Sequence, residues 1–424
     1  MKRTAIQVGA ALALLLGSTT LGAQEAPPKP VIPLQIGRAD ALSLGAENGP
    51  GVALAAAPRP ATREARNAAG QLTRPPLLTL LGGYRRGQSD PGPELGAALS
   101  QEVPLRGVGS RRARLADAWG TLVAEDLRRA QLDAATRAAL AWASGLEAGE
   151  ILKLRLAAEE QAASVQRTSE VRFQSGAGMP FDVALARADA ATAHAAVLDA
   201  EGLQVEALAE LRFSLGLPAA AAVEPVGDLY ASNDRLPAGP GLTANALAGE
   251  PTLGVARARA ELARRETALT YAALGPSLTV GASFLREGGG NVVVTGFVGL
   301  PLPVVAPAAF DTARQRGLED AAAADLARVR AEAAKSLSLA THEREHWREV
   351  RDVLRSSALE AAREALRLAL ASYLAGTQDV SSVVLARQRV IATEEQLAQV
   401  AGAIQRADIR FARLTGTLMK GRVQ

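Results

Sequence analysis

The sequence contains no cysteine. It therefore forms no disulfide, offers no thiolate to a metal and has no cysteine to carry a lipid anchor. Aromatic residues make up only 3% of the 424 residues, which argues against an ordinary compact core of several layers. The 48% that are hydrophobic are mostly alanine and leucine; these favour helices that pack closely and regularly. Neither sign of charge dominates, because acids and bases interleave and the net charge is only +3. No basic block carries interleaved aromatics, so nucleic acid is not an expected partner. Past the N-terminal segment there is no run of 18 apolar residues. A mature chain of this kind enters a membrane only as strands of a closed barrel.

Residues 1–23 read as a secretory signal peptide: Lys2 and Arg3, the apolar stretch Ala5–Leu16, then Leu21-Gly22-Ala23 as a cleavage site. Residues 24–36 are proline-rich and read as an extended arm. A weak helical pattern over Arg38–Ala57 is interrupted by Gly49, Pro50 and Gly51. Pro58 and Pro60 are expected to break it again before it resumes at Thr62–Leu72.

The strongest signal is an internal repeat. Arg172–Arg187 reads RFQSGAGMPFDVALAR and Ser372–Arg387 reads SYLAGTQDVSSVVLAR. Phe173 and Tyr373, Gly176 and Gly376, Pro76 and Pro276, and Gly216 and Gly416 each stand 200 residues apart. In both copies a long helical pattern reaches an aromatic residue, meets a glycine three residues later, and restarts as a second helix. A hairpin made twice at fixed spacing is a tandem duplication. The expected first repeat is 24–249, with strands at about 77–84 and 94–103, a helical hairpin over 107–216 and a linker over 217–249. The second is 250–424, with strands at about 277–286 and 292–300 and a hairpin over 307–416.

Val280, Ala282 and Phe284 alternate with Thr279, Gly281 and Ser283, the pattern of a strand with one apolar side; Glu94–Val103 shows it poorly. About ten residues is the right length for a tilted strand to cross an outer membrane. Four strands cannot close a barrel, since the smallest have about eight. Either these are two surface hairpins or several chains share one barrel. From Leu318 to Ala375 there is neither glycine nor proline, a helix of roughly 87 Å. In the return helix Val383, Val390, Leu397, Ile404, Phe411 and Leu418 are seven apart, a coiled-coil seam. The first copy keeps this register more weakly, with polar Gln204 in the seam.

His342-Glu343-Arg344-Glu345-His346 matches the zinc-protease pattern H-E-x-x-H. A third ligand is missing: Glu364 lies 18 residues on along the same helical run, roughly 27 Å away. The motif reads as a chance match on a solvated face that can hold at most an adventitious metal. No catalytic residue, metal or cofactor is expected. Asp182 and Asp379 follow the two hairpin turns. They serve either as helix N-caps or as a carboxylate ring that selects cations, and one position can do both.

The order of elements, the proline-initiated strand pairs and the aromatic-x-x-Gly turn before a heptad helix resemble the TolC-like outer-membrane efflux proteins. Within that family, Ser100–Ala118 and Gly299–Ala306 look most like the CzcC-type branch that serves heavy-metal exporters. The resemblance implies a mainly α chain whose long helical hairpins form a periplasmic tunnel and whose four strands join those of two further copies in one barrel. It implies a homotrimer in outer-membrane lipid, an adaptor (membrane fusion) protein, an inner-membrane pump and no catalysis. It also implies that Gly176 and Gly376 mark the periplasmic tips where the adaptor docks, and that Asp182, Tyr373 and Asp379 form the pore constriction. TolC itself has a basic residue two positions after the second tip glycine; here that position is Gln378. The competing expectation is an exported coiled-coil structural or adaptor protein without a barrel. A lipid-facing apolar side on the four strands would separate the two.

Overall fold

A computed structural model describes residues 33–71, 74–87, 91–231, 249–301 and 309–418. The expected signal peptide lies outside the described residues, as do most of the N-terminal arm and much of the 217–249 linker.

The chain begins with β1 (Leu34–Ile36) and three short helices: α1 (Arg38–Asn48), α2 (Val52–Ala56) and α3 (Arg59–Ala68). The helical stretch does stop ahead of Pro58, since α2 ends at Ala56, and Pro58 and Pro60 then have a second role. They start α3, at its N-cap and its second position, where a missing N–H costs nothing. Strands β2 (Leu77–Arg85) and β3 (Gly92–Pro104) lead to α4 (Val108–Gln174), a helix of 67 residues. Its return is α5 (Pro180–Ser214), followed by β4 (Val223–Pro225). The second copy follows as α6 (Pro251–Ala273), β5 (Ser277–Arg286), β6 (Val292–Gly299), α7 (Ala309–Val353), α8 (Leu359–Leu374) and α9 (Val380–Leu414). A π-helical turn, Leu354–Ala358, separates α7 from α8. The long helix expected to be unbroken therefore has a joint, of the kind that absorbs an extra residue in a helix.

Two features had no sequence signal. β1 and β4 pair in parallel, Leu34 to Val223 through Ile36 to Pro225, so the presumed arm and linker are pinned to one another. Trp142 on α4 donates its indole N–H to Val226 carbonyl at 3.2 Å. Gly145, one turn on, leaves room for Pro225; a Cβ there would meet the proline ring at 3.0 Å. Around this small sheet Ile36, Leu132, Trp142, Leu211, Leu215 and Ile409 form the largest apolar cluster, which joins both copies.

The heptad side of α9 is inside. Val383, Ile404 and Phe411 are among the eighteen of the helix's 35 residues that are buried. α5, its counterpart, buries only seven of 35. Leu198, Leu203, Val205 and Phe213 on α5 stay exposed. The weaker seam in the first copy therefore corresponds to a helix covered on one side only.

Candidate channel wall and hairpin tips

Strands β2, β3, β5 and β6 form one antiparallel sheet in the order β2-β3-β5-β6. Residues directly opposite one another across antiparallel strands share a face, so the register assigns every side chain to one of two sides. Leu78 pairs with Leu99 and Leu80 with Ala97. Leu99 then pairs with Ala282 and Ala97 with Phe284. Phe284 pairs with Val294 and Val280 with Val298. This face carries apolar side chains or glycine across all four strands, and Gln101 is its one polar residue away from Arg286 at the strand end. Leu80, Leu99, Val280, Phe284, Val294 and Val298 are all exposed on it. The opposite face is mixed: Thr79, Glu94, Ser100, Glu102, Thr279, Ser283 and Thr295 stand there beside Leu77, Leu81, Leu285, Val293 and Phe297. The poor alternation of β3 resolves in register, because Leu95, Ala97, Leu99 and Val103 fall on the apolar side.

At the other end of the chain the two helical hairpins turn in the same way. Gly176 has φ +76° and Gly376 φ +75°. The Gly176 N–H donates to Phe173 carbonyl at 3.0 Å and the Ala177 N–H to Arg172 carbonyl at 2.9 Å. Gly376 and Thr377 repeat these bonds to Tyr373 and Ser372, both at 3.0 Å. This is the paired-bond helix end that needs a left-handed residue, hence glycine. Gly216 and Gly416, both at φ +68°, close α5 and α9 alike.

Beyond the turns the two copies diverge. Asp379 is the N-cap of α9 and accepts the Ser381 backbone N–H at 3.1 Å. The Ser381 hydroxyl, followed by the amides of the first turn, holds its carboxyl below the usual aspartate range. Asp182 lies inside the first turn of α5, whose N-cap is Met179. Its side chain is 7% exposed and one carboxylate oxygen has no hydrogen-bond partner among the described residues. Tyr373 is 3% exposed; its hydroxyl lies 3.0 Å from Ser169 Oγ on α4. The Arg172 guanidinium stacks 4.8 Å from the Tyr373 ring centroid. It also reaches the Leu374 carbonyl at 3.5 Å and the Ala177 carbonyl at 3.4 Å. Of the three expected constriction residues, Asp379 alone is exposed in the single chain. Arg172, unmarked in sequence, joins the two tips.

Further from the tips, two buried ion pairs lock helices together. Arg387 on α9 pairs with Asp189 on α5, each 4% exposed, and donates to Ala158 carbonyl on α4 at 2.8 Å. Arg344 on α7 meets Asp408 on α9 at 2.7 Å, both nearly sealed from solvent. Arg344 also lies 4.2 Å from the Phe411 ring centroid. The H-E-x-x-H stretch is thus not a solvated face throughout: its central arginine points into the core. Glu343 accepts from Arg410 at 3.5 Å, while His342 and His346 are exposed with ring centroids 6.0 Å apart. Among the described residues no three metal-ligating side chains converge.

No helix among the described residues is long and apolar enough to cross a membrane. Residues 242–417 match the model of the family described as outer membrane efflux protein. No curated protein matches the chain by sequence. The solved structure of the outer-membrane channel OprN superposes with a TM-score of 0.74 at 20% identity, over 90% of each chain. The CmeC outer membrane channel of Campylobacter jejuni gives 0.75 at 15% identity, over 90% of this chain and 85% of that one. CusC, described for its transmembrane channel formation, gives 0.75 at 15% identity, over 89% and 91%. The second copy is thus similar to the outer membrane efflux proteins, and the chain shares the fold of these outer-membrane channels along nine-tenths of its length.

Proposed function

We propose that this protein is the outer-membrane duct of a tripartite exporter, a passive exit for cargo driven by an inner-membrane pump through a periplasmic adaptor. The observation that carries the reading is the continuous apolar face of the four-stranded sheet. In bilayer, every strand edge must be paired, yet β2 and β6 are edges of a sheet too narrow to close. Three copies joined β6 to β2 give a barrel of about twelve strands, within the size range of such barrels. The mixed face, which carries the strands' Thr, Ser and Glu side chains, then lines the lumen. The exposed apolar side chains of α5 supply a second surface for the neighbouring copy.

In this reading Gly176 and Gly376 form the periplasmic tips and the adaptor contact. Asp379 offers an exposed carboxylate at the constriction, and Tyr373 and Asp182 shape it from within the packed hairpins. The resemblance of Ser100–Ala118 to the CzcC-type branch supports metal cations as cargo. The test is reconstitution of detergent-purified protein into planar bilayers. A trimer that conducts supports the duct; a soluble, non-conducting monomer refutes it and returns the chain to the exported coiled-coil proteins.

A further inference from the structure

Arginines elsewhere on the long helices are mostly ion-paired, as with Arg328, Arg363, Arg367, Arg406 and Arg413. Where strands become helices this changes. Arg106, Arg111, Arg112 and Arg114 follow β3 within ten residues, and no acid occurs between Pro104 and Asp117. Arg314 and Arg316 occupy the matching place near the start of α7. None of these six has a carboxylate partner among the described residues. Arg106 and Arg111 reach only the carbonyls of Tyr271 and Ala268, each at 3.4 Å, and Arg316 stacks on Tyr271. Arg112 has no hydrogen bond or ion pair at all among them. The nearby Asp117 is already taken by Arg66.

Arg112 also borders a cavity of about 560 Å³ whose walls include Leu115, Trp119, Leu262 and Leu269, with Glu266 as its carboxylate. Glu266 accepts from Gln315 at 3.3 Å. A second cavity of about 340 Å³ shares Arg112 and Leu269. An apolar recess beside an unpaired guanidinium fits an acyl chain and a phosphate.

Depth decides which phosphate. Arg112 is four residues into α4, and Arg114 six, so they lie about 6–9 Å along the helix from its start, which follows the strand after a turn of three residues. The headgroup layer is about 5–7 Å thick on each side of the hydrocarbon, and arginine stems reach back toward it. We propose that this collar, with Arg112 at its centre, binds anionic phospholipid in the periplasmic leaflet, phosphate on the guanidinium and acyl chain in the recess. The proposal rests on the reading that the four strands cross the outer membrane.

The test is displacement of fluorescent phosphatidylglycerol from the full-length protein in dodecyl maltoside micelles, with conductance measured on the same preparation. Unlabelled phosphatidylglycerol is expected to compete at least tenfold better than phosphatidylethanolamine, and millimolar inorganic phosphate not at all. Each basic residue at an anionic surface is worth about fivefold in affinity. The triple variant Arg106→Gln/Arg112→Gln/Arg114→Gln should therefore lose about 100-fold while remaining a conducting trimer. Arg112→Gln alone should lose about fivefold, and Arg112→Lys should retain most of the affinity. Equal competition by the two lipids, equal competition by phosphate, or unchanged affinity in the triple variant overturns the proposal. Conductance without lipid preference overturns the lipid site alone; loss of both in the wild type overturns the membrane reading as well.

Discussion

Arg387 and Asp189 join the return helices of the two copies, and their separation is the sharpest test of how the hairpins are held. Both side chains are 4% exposed. Among the described residues Asp189 keeps only one other partner, the Gln388 amide at 3.1 Å. Arg387→Met therefore strands a buried carboxylate, and Asp189→Leu strands a guanidinium whose remaining acceptor is Ala158 carbonyl. Breaking a buried pair from one side costs about 3–5 kcal/mol. A cavity of about 360 Å³ borders the pair, so water can reach the orphaned group, which favours the lower end, about 3 kcal/mol. Hydrogen exchange of the α9 amides around Arg387 reads local opening directly. Either single variant should exchange there roughly 100-fold faster, since about 1.4 kcal/mol is a factor of ten. The double variant Asp189→Leu/Arg387→Met replaces the pair with apolar groups and should recover most of the protection. Single variants within about threefold of the wild type, or a double variant as labile as the singles, would refute the reasoning.

The sheet register predicts opposite outcomes at adjacent residues. Ala282→Arg puts a charge on the lipid face, costs about 2–4 kcal/mol per chain near the midplane and should abolish trimer recovery from membranes. Ser283→Arg should assemble and shift selectivity toward anions in bilayers. At the tips, Gly176→Ala and Gly376→Ala meet no close contact, since Gly176 has open space and Gly376 only Arg172 Nη2 at 3.8 Å; the left-handed backbone alone should cost about 1–2 kcal/mol each, read as faster exchange at the helix ends. Asp379→Asn should reduce cation preference in single-channel recordings; unchanged selectivity would remove the carboxylate from the conduction path. The cap also carries a pH signature. A carboxyl whose folded pKa is depressed stabilises the fold above its unfolded pKa and loses that contribution as pH falls through the folded value. Amide protection at Ser381 should therefore fall on acidification below the ordinary aspartate range in the wild type, and be low at every pH in Asp379→Ala.

The 200-residue period, the turn glycines and all four strands of the sheet are legible in the chain because each rests on local chemistry: proline at a strand start, glycine at a left-handed turn, alternation along ten residues. What escaped depends on partners far away in sequence. The alternation of Glu94–Val103 is blurred by Gln101 among Leu95, Ala97, Leu99 and Val103 and by Gly96 and Ala98 on the other side, and pairing with β2 and β5 shows which face of the sheet that apolar side joins. β1 and β4 are each three residues long and pair across 189 positions, too short for any periodicity to register. Arg344 looked solvated because His342, Glu345 and His346 around it are charged or polar and exposed; its inward turn follows from Asp408 on another helix.

Leu-Ala-Arg occurs at 185–187 and again at 385–387, yet Arg187 is exposed, bonding Glu170 at 3.2 Å, while Arg387 is buried against Asp189. Identical residues in duplicated positions have opposite fates because α9 lies between neighbouring helices and α5 lies at the edge of the chain's own helical layer. The sheet repeats this asymmetry, with β2 of the first copy at one edge and β6 of the second at the other. A subunit with two unlike edges associates head to tail, and such contacts either close into a ring or run on as a filament. Right-handed strand twist, accumulating from one strand to the next, curls the sheet toward closure. In the proposed outer-membrane setting, a bilayer, which tolerates no free strand edge, selects the ring. Duplication followed by divergence of the two edges thus supplies what a closed wall needs: one surface that gives and one that receives on every chain.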